Sequence, residues 1–112
     1  MMFGIKKYDE NEYAYREIKE NPIIIDFSAC KYYLDIYKLL KDKLGLPVAC
    51  GSNWSAIWDM LRDRFDDEDN FEVHIYGYRS MPEKWQEDCI KMLEIFDDVH
   101  KETPNVEFKL IS

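Results

Sequence analysis

The chain has 112 residues, with 23 Asp or Glu against 15 Lys or Arg, for a net charge of −8. That length favours one domain with a single core, and 46% hydrophobic with 15% aromatic residues excludes simple disorder. The negative charge disfavours nucleic acid and anionic membranes, both polyanions, and makes a basic protein the complementary partner. No apolar run approaches the roughly 20 residues a membrane span needs.

The first 21 residues have the least regular pattern. Phe3–Tyr8 reads as an edge strand and Glu12–Lys19 as a helical turn, or the whole segment as a tail. No apolar stretch of signal-peptide type is present at the start. Ile23-Ile24-Ile25-Asp26-Phe27 is short and β-branched, as expected of a strand buried on both faces. Tyr33, Ile36, Tyr37, Leu40 and Leu44 then follow the helical period, and Gly45 with Pro47 supplies the stop.

A second helix is predicted from Ser52 or Asn53, either of which can cap it. Trp54, Ile57, Trp58, Leu61 and Phe65 form its apolar face. Asp66-Asp67-Glu68-Asp69-Asn70 reads as a solvated turn. Phe71, Val73 and Ile75 read as a strand broken by Gly77. Pro82 suits a first helical turn, and Trp85, Cys89, Met92, Phe96 and Val99 trace one further helix. Val106, Phe108, Leu110 and Ile111 make the last strand. The order β-α-α-β-α-β implies crossovers, so an α/β fold is predicted: a small three-stranded parallel sheet covered by helices.

Chemistry leaves little trace. Cys30, Cys50 and Cys89 are odd in number and lack Cys-x-x-Cys spacing, which speaks against a disulfide framework or zinc site and fits a reducing cytoplasm. Cys89 belongs to a core stripe, whereas Cys50 reads as an exposed thiol. His74 and His100 both read as packed or solvated, and neither lies in a recognisable catalytic motif. No enzyme activity, metal or cofactor is expected.

The acidity is concentrated. Residues 59–69 hold six acids and two bases, and residues 83–102 seven acids and three bases, so these two segments account for the whole net charge. On the second helix, measured from Trp54, the core residues cluster around 0° while Ser55, Asp59, Asp63 and Asp66 fall at roughly 100–180°. Like charges on one stripe repel and do nothing for the fold. Asp63 and Asp66 also oppose the negative end of the helix dipole. Such a stripe reads either as a solvated face or as an anionic surface that imitates phosphate for a basic site.

Leu46-Pro47, Gly51, Asn53 and Ala56-Ile57-Trp58-Asp59 resemble the barstar motif, LP-x-x-x-G-x-N-x-x-A-hydrophobic-W-D. The resemblance extends over about residues 22–112, with residues 1–21 as an unmatched extension. It implies a cytoplasmic inhibitor, monomeric when free, that binds a secreted or toxin ribonuclease one-to-one and covers its basic active site. By the same resemblance Asp59 matches the family's principal aspartate, Gly51 and Asn53 match the binding loop and helix start, and Asp98 matches an acidic contact on the last helix. Ala49-Cys50 stands where barstar has a tyrosine pair, Ser55 where it has a second inhibitory aspartate, and Ser52 where it has a glutamate. Arg64 replaces an interface-side tryptophan. Asp63 and Asp66 would then compensate for the missing acids, and the partner would be a diverged toxin rather than barnase itself. The alternative is an acidic interaction or regulatory domain of the same fold without a nuclease target.

Overall fold

The computed structural model describes residues 12–112. Strand β1 spans Ile23–Asp26, β2 Phe71–Tyr76 and β3 Val106–Leu110. All three are parallel, in the spatial order β1-β2-β3. Register aligns Ile23 with Val73 and Ile25 with Ile75, while Phe71 pairs with Val106. Parallel pairing requires each connection to cross the sheet, and the intervening helices supply those crossovers. The predicted order β-α-α-β-α-β is the observed one.

Helix α1 covers Leu34–Leu44 and α2 covers Trp54–Leu61. The predicted third helix is two, α3 over Glu83–Asp88 and α4 over Ile90–Glu102. The break falls at Cys89, whose ψ of −1° leaves the helical range. Its side chain still points inward, so the apolar stripe survives the break: Cys89, Met92, Phe96 and Val99 are all buried.

The period of two along the strands decides how the sheet packs. Ile23, Ile25, Val73, Ile75 and Val106 are buried on one face, against which α1 and α4 pack. The other face holds Ile24, Glu72, His74 and Tyr76, all half-buried, with Glu107 and Lys109 exposed. Ile24 therefore corrects the expectation of a first strand buried on both sides. Phe27 also leaves the strand, entering a 3-10 turn over Phe27–Ala29. The two histidines serve packing. His74 Nε2 lies 2.8 Å from Glu72 Oε1, and His100 Nδ1 lies 2.8 Å from the Val106 carbonyl, tying α4 to β3. No described helix is long and apolar enough to cross a membrane.

Residues 12–20 lie ahead of the first strand without forming the expected helical turn. A turn at its start leads into a segment without regular structure, laid against the loop between α1 and α2. Phe3–Tyr8, read as an edge strand, lies outside the described residues.

Candidate functional site: a capped loop and the helix carrying Asp59

The loop between α1 and α2 is set by its ends. Gly45 closes α1 with φ of 67°, and its amide donates to the Lys41 carbonyl. A Cβ there would stand 2.3 Å from the Arg16 carbonyl oxygen, so glycine is required by backbone angle and by close approach alike. At the far end Asn53 adopts extended backbone, and its Oδ1 accepts from the Ala56 amide at 2.8 Å. Of the two predicted caps, Asn53 is the one used. A Cβ on Gly51 would meet Ala56 Cβ and Asn53 Nδ2, both at 3.2 Å, so glycine lets the loop lie against the first turn of α2.

Between these ends two groups hold the loop. Lys41 Nζ donates to the Cys50 carbonyl at 2.9 Å and lies 3.4 Å from Ser52 Oγ. On the other side the Ala49 amide donates to the Glu12 carbonyl at 2.8 Å. The Cys50 thiol points inward, buried, 3.6 Å from the carbonyls of Gly51 and Ala56, which corrects its reading as exposed. Burial raises its pKa, Lys41 opposes the rise and the charge of Asp59 adds to it.

Helix α2 is shorter than the apolar period suggested. It ends at Leu61, and Arg62 caps it through its amide to the Trp58 carbonyl. Ser55 and Asp59 are exposed on the helix, Asp63 is exposed in the turn that follows, and Asp66 lies beyond that turn. The single helical stripe through Ser55, Asp59, Asp63 and Asp66 is thus broken after Asp59. Asp66 has a local role: its Oδ1 accepts from the Glu68 amide at 2.9 Å while its own amide donates to Asp69 Oδ2 at 2.9 Å. The stripe was misread because Phe65 continues the helical spacing, yet it is buried from a turn, against Phe71 at 5.7 Å between ring centroids.

The tryptophans divide differently from the sequence pattern. Trp54 is buried, 4.8 Å from the Tyr37 ring, with Nε1 donating to Asp88 Oδ2 at 3.0 Å. Trp58 is half-buried, with the Arg62 guanidinium 5.9 Å from its ring centre. Arg64 turns inward: Nε donates to the Leu44 carbonyl at 3.0 Å and Nη2 to the Arg16 carbonyl at 2.8 Å. The two arginines in the acidic segment are therefore engaged with an indole and with backbone carbonyls. Among the described residues, Asp59, Asp63 and Asp98 make no ion pair.

Asp98 is exposed on α4, a helix that packs against α2. By helical period it lies on the flank of Ile95 and Glu102, away from Leu93 and Asp97, which line a groove of about 540 Å³ with β3. Gly51, Asn53, Ser55 and Asp59 thus lie at the start and on the exposed side of α2 and Asp63 just past its end, whereas Asp98 belongs to the neighbouring helix. Lys41, Glu12 and Arg16 support this face without being legible as site residues, because none shares a period or motif with it, while Arg64, at the position of an interface-side tryptophan in barstar, turns inward to support it. No cluster of His, Cys, Asp or Glu suited to a metal ion occurs among the described residues.

A parallel three-stranded sheet backed by helices, with a capped loop leading into a short helix that carries the exposed Asp59, defines a small α/β protein of one recognisable kind. The family model described as Barstar (barnase inhibitor) matches residues 21–111, and the chain belongs to the barstar family. No curated protein matches the chain closely enough to add a named relative.

Proposed function

We propose that the chain inhibits a basic ribonuclease, binding it one-to-one and occupying its active site with α2 and the loop from Leu46 to Asn53. The observation that supports this most is the state of the carboxylates. Asp59 and Asp63 stand exposed and unpaired among the described residues, close to arginines committed elsewhere. A domain that needed neutral packing would pair them. A domain that must meet a cationic cleft keeps them open, since guanidinium groups of the partner make charge-assisted bonds to each carboxylate.

In this reading Asp59 is the central contact, Gly51 and Asn53 shape the loop beside it, and Ser55 and Asp63 flank it on either side. Asp98 adds a second charge from α4. Asp66, with its carboxylate used in its own turn, contributes at the rim. The protein works without turnover, metal or cofactor: it excludes RNA by filling the site. The partner is a basic nuclease toxin, and the inhibitor acts in the cytoplasm, as a monomer until bound.

Titration of RNA cleavage tests this. Barnase and a set of basic bacterial ribonuclease toxin domains are assayed with a fluorogenic RNA at fixed enzyme and rising inhibitor. Activity of at least one falls linearly to zero at one equivalent. Full activity of every nuclease at tenfold excess of the chain would overturn the proposal and leave the interaction domain without a nuclease target.

A further inference from the structure

The segment ahead of the first strand reaches the same face. Its backbone is fixed at two places: the Arg16 amide donates to the Gly45 carbonyl at 2.8 Å, and the Glu12 carbonyl receives the Ala49 amide at 2.8 Å. The Arg16 guanidinium clamps it further, donating to the carbonyls of Leu46 and Lys41 at 2.8 Å and 3.1 Å at the end of α1. Arg64 closes the arrangement from below by donating to the Arg16 carbonyl. These contacts hold the strap by its main chain and by Arg16. None of them needs an aromatic residue at position 15.

Tyr15 nonetheless extends from the strap over the far end of α2. Its hydroxyl donates to the Met60 carbonyl at 2.5 Å, one residue from Asp59, and the Arg64 guanidinium lies 5.6 Å from its ring centre. Burial raises the pKa of its phenol, with the charge of Asp63 adding to the rise and Arg64 opposing it. The residue remains 40% exposed. The loop between α1 and α2 offers partners little aromatic surface of its own, because Ala49 is small and the Cys50 side chain is buried.

We propose that Tyr15, delivered by the strap of residues 12–16, is part of the partner-binding face and packs its exposed ring against a guanidinium of the basic ribonuclease. The inference rests on the inhibitory reading above and extends it to a segment ahead of the family-matched region. Three features support it. Tyrosine gives large contact area at small entropic cost and is enriched at binding hot spots. A cation can sit over either face of an aromatic ring, and the Arg64 guanidinium, 5.6 Å from the ring centre, takes only one of the two. Asp59, next in sequence to the Met60 whose carbonyl holds Tyr15, and Asp63 in the turn after α2 draw that cationic surface toward it.

The test uses the full chain and any nuclease that it inhibits in the titration above. Inhibition constants are compared for wild type, Tyr15→Phe, Tyr15→Ala and Asp59→Ala, with denaturant midpoints for each. Tyr15→Ala weakens inhibition about tenfold or more, mainly through faster dissociation. Tyr15→Phe, which loses the bond to Met60 but keeps the ring, stays within about threefold. A structural role for the hydroxyl alone would make Tyr15→Phe as weak as Tyr15→Ala, and that result overturns the proposal. A second measurement separates contact from loop support: p-benzoylphenylalanine placed at position 15 crosslinks to the nuclease on irradiation. If Tyr15→Ala inhibits like wild type while Asp59→Ala does not, the strap lies outside the interface and the inhibitory reading stands alone. Crosslinking confined to the chain itself overturns the proposal equally. Wild-type inhibition by both alanine variants overturns this inference together with the central place of Asp59, whereas inhibition of no nuclease at all removes the inhibitory reading and this inference with it.

Discussion

The side-chain oxygen of Asn53 accepts a 2.8 Å hydrogen bond from the Ala56 amide, so a residue beside the acidic face is also the cap that starts α2. Folding and recognition are joined at this position. Asn53→Ala should lower stability by about 1 kcal/mol, the usual cost of a lost side-chain cap. Asn53→Asp should recover most of it, because a carboxylate accepts the same bond and suits the positive helix end. Urea midpoints for the two variants check this. Equal midpoints for Asn53→Ala and wild type would show that the cap adds nothing.

The thiols should differ in reactivity. Cys89 is buried and its pKa is pushed up to about 12, mainly by desolvation, with Asp88 adding to the effect. Cys50 is buried with its pKa raised, and Cys30 is half-buried with its pKa raised by desolvation and then by Asp35. A raised pKa means less thiolate at neutral pH, and thiolate is the reactive form. Native protein at pH 8 should therefore label slowly, at Cys30 first, with the other two reacting only on unfolding. Mass spectrometry of partly labelled protein identifies the order. Cys50→Ser should leave stability within about 1 kcal/mol, since the hydroxyl can donate to the carbonyls that now face the sulfur.

Much of this molecule is written in its hydrophobic periods. Ile36, Leu40 and Leu44 announced α1, and Val73 with Ile75 announced β2, because tertiary burial enforces those periods directly. The acidic site was half legible. Asp59 followed from a spaced motif, but the stripe through Asp66 did not survive, since Phe65 keeps helical spacing while being buried from a turn. Cys89 hid a helix break for a similar reason: a buried residue on the right face conceals the local backbone. The strap was not readable. Its fixing contacts join Arg16 and Glu12 to backbone groups of residues 41–49, and backbone partners leave no mark in side-chain pattern.

The segment between the strap and β1 carries a pH dependence. Glu20 Oε1 accepts from Lys43 Nζ at 2.8 Å, and the bond to Lys43 is the first cause of its lowered pKa. A folded pKa below the unfolded one stabilises above the unfolded value of about 4.3 and is lost as pH falls through the folded value. The pair is partly exposed, so its contribution is about 1 kcal/mol at most. Glu20→Gln should thus lower the urea midpoint slightly at pH 7, with the difference from wild type vanishing near pH 2. A difference that grows on acidification would contradict the assignment.

Association should be fast and salt-sensitive. Asp67 and Glu68 are exposed in the turn after α2, and they add to a field directed at a basic partner without supporting the fold through their side chains. Asp67→Asn with Glu68→Gln should slow association severalfold at low salt and leave dissociation nearly unchanged. Stopped-flow traces across a salt series measure both. Association rates that stay flat from low to high salt would exclude electrostatic steering.

The affinity of Asp59→Ala for an inhibited ribonuclease tests the central claim most directly. Asp59 is exposed near the end of α2 and unpaired among the described residues, so its removal should leave the free protein as stable as wild type or slightly more so. Ile57→Ala, in the core, is the contrasting control and should lose about 2–5 kcal/mol of folding stability. In the complex, truncation leaves the partner's cations unmatched, and the expected loss is about 3 kcal/mol or more, a magnitude taken from interface hot spots, barstar's among them. A dissociation constant raised about a hundredfold or more, with an unchanged urea midpoint, is the predicted result. An unchanged dissociation constant for the folded variant would contradict it.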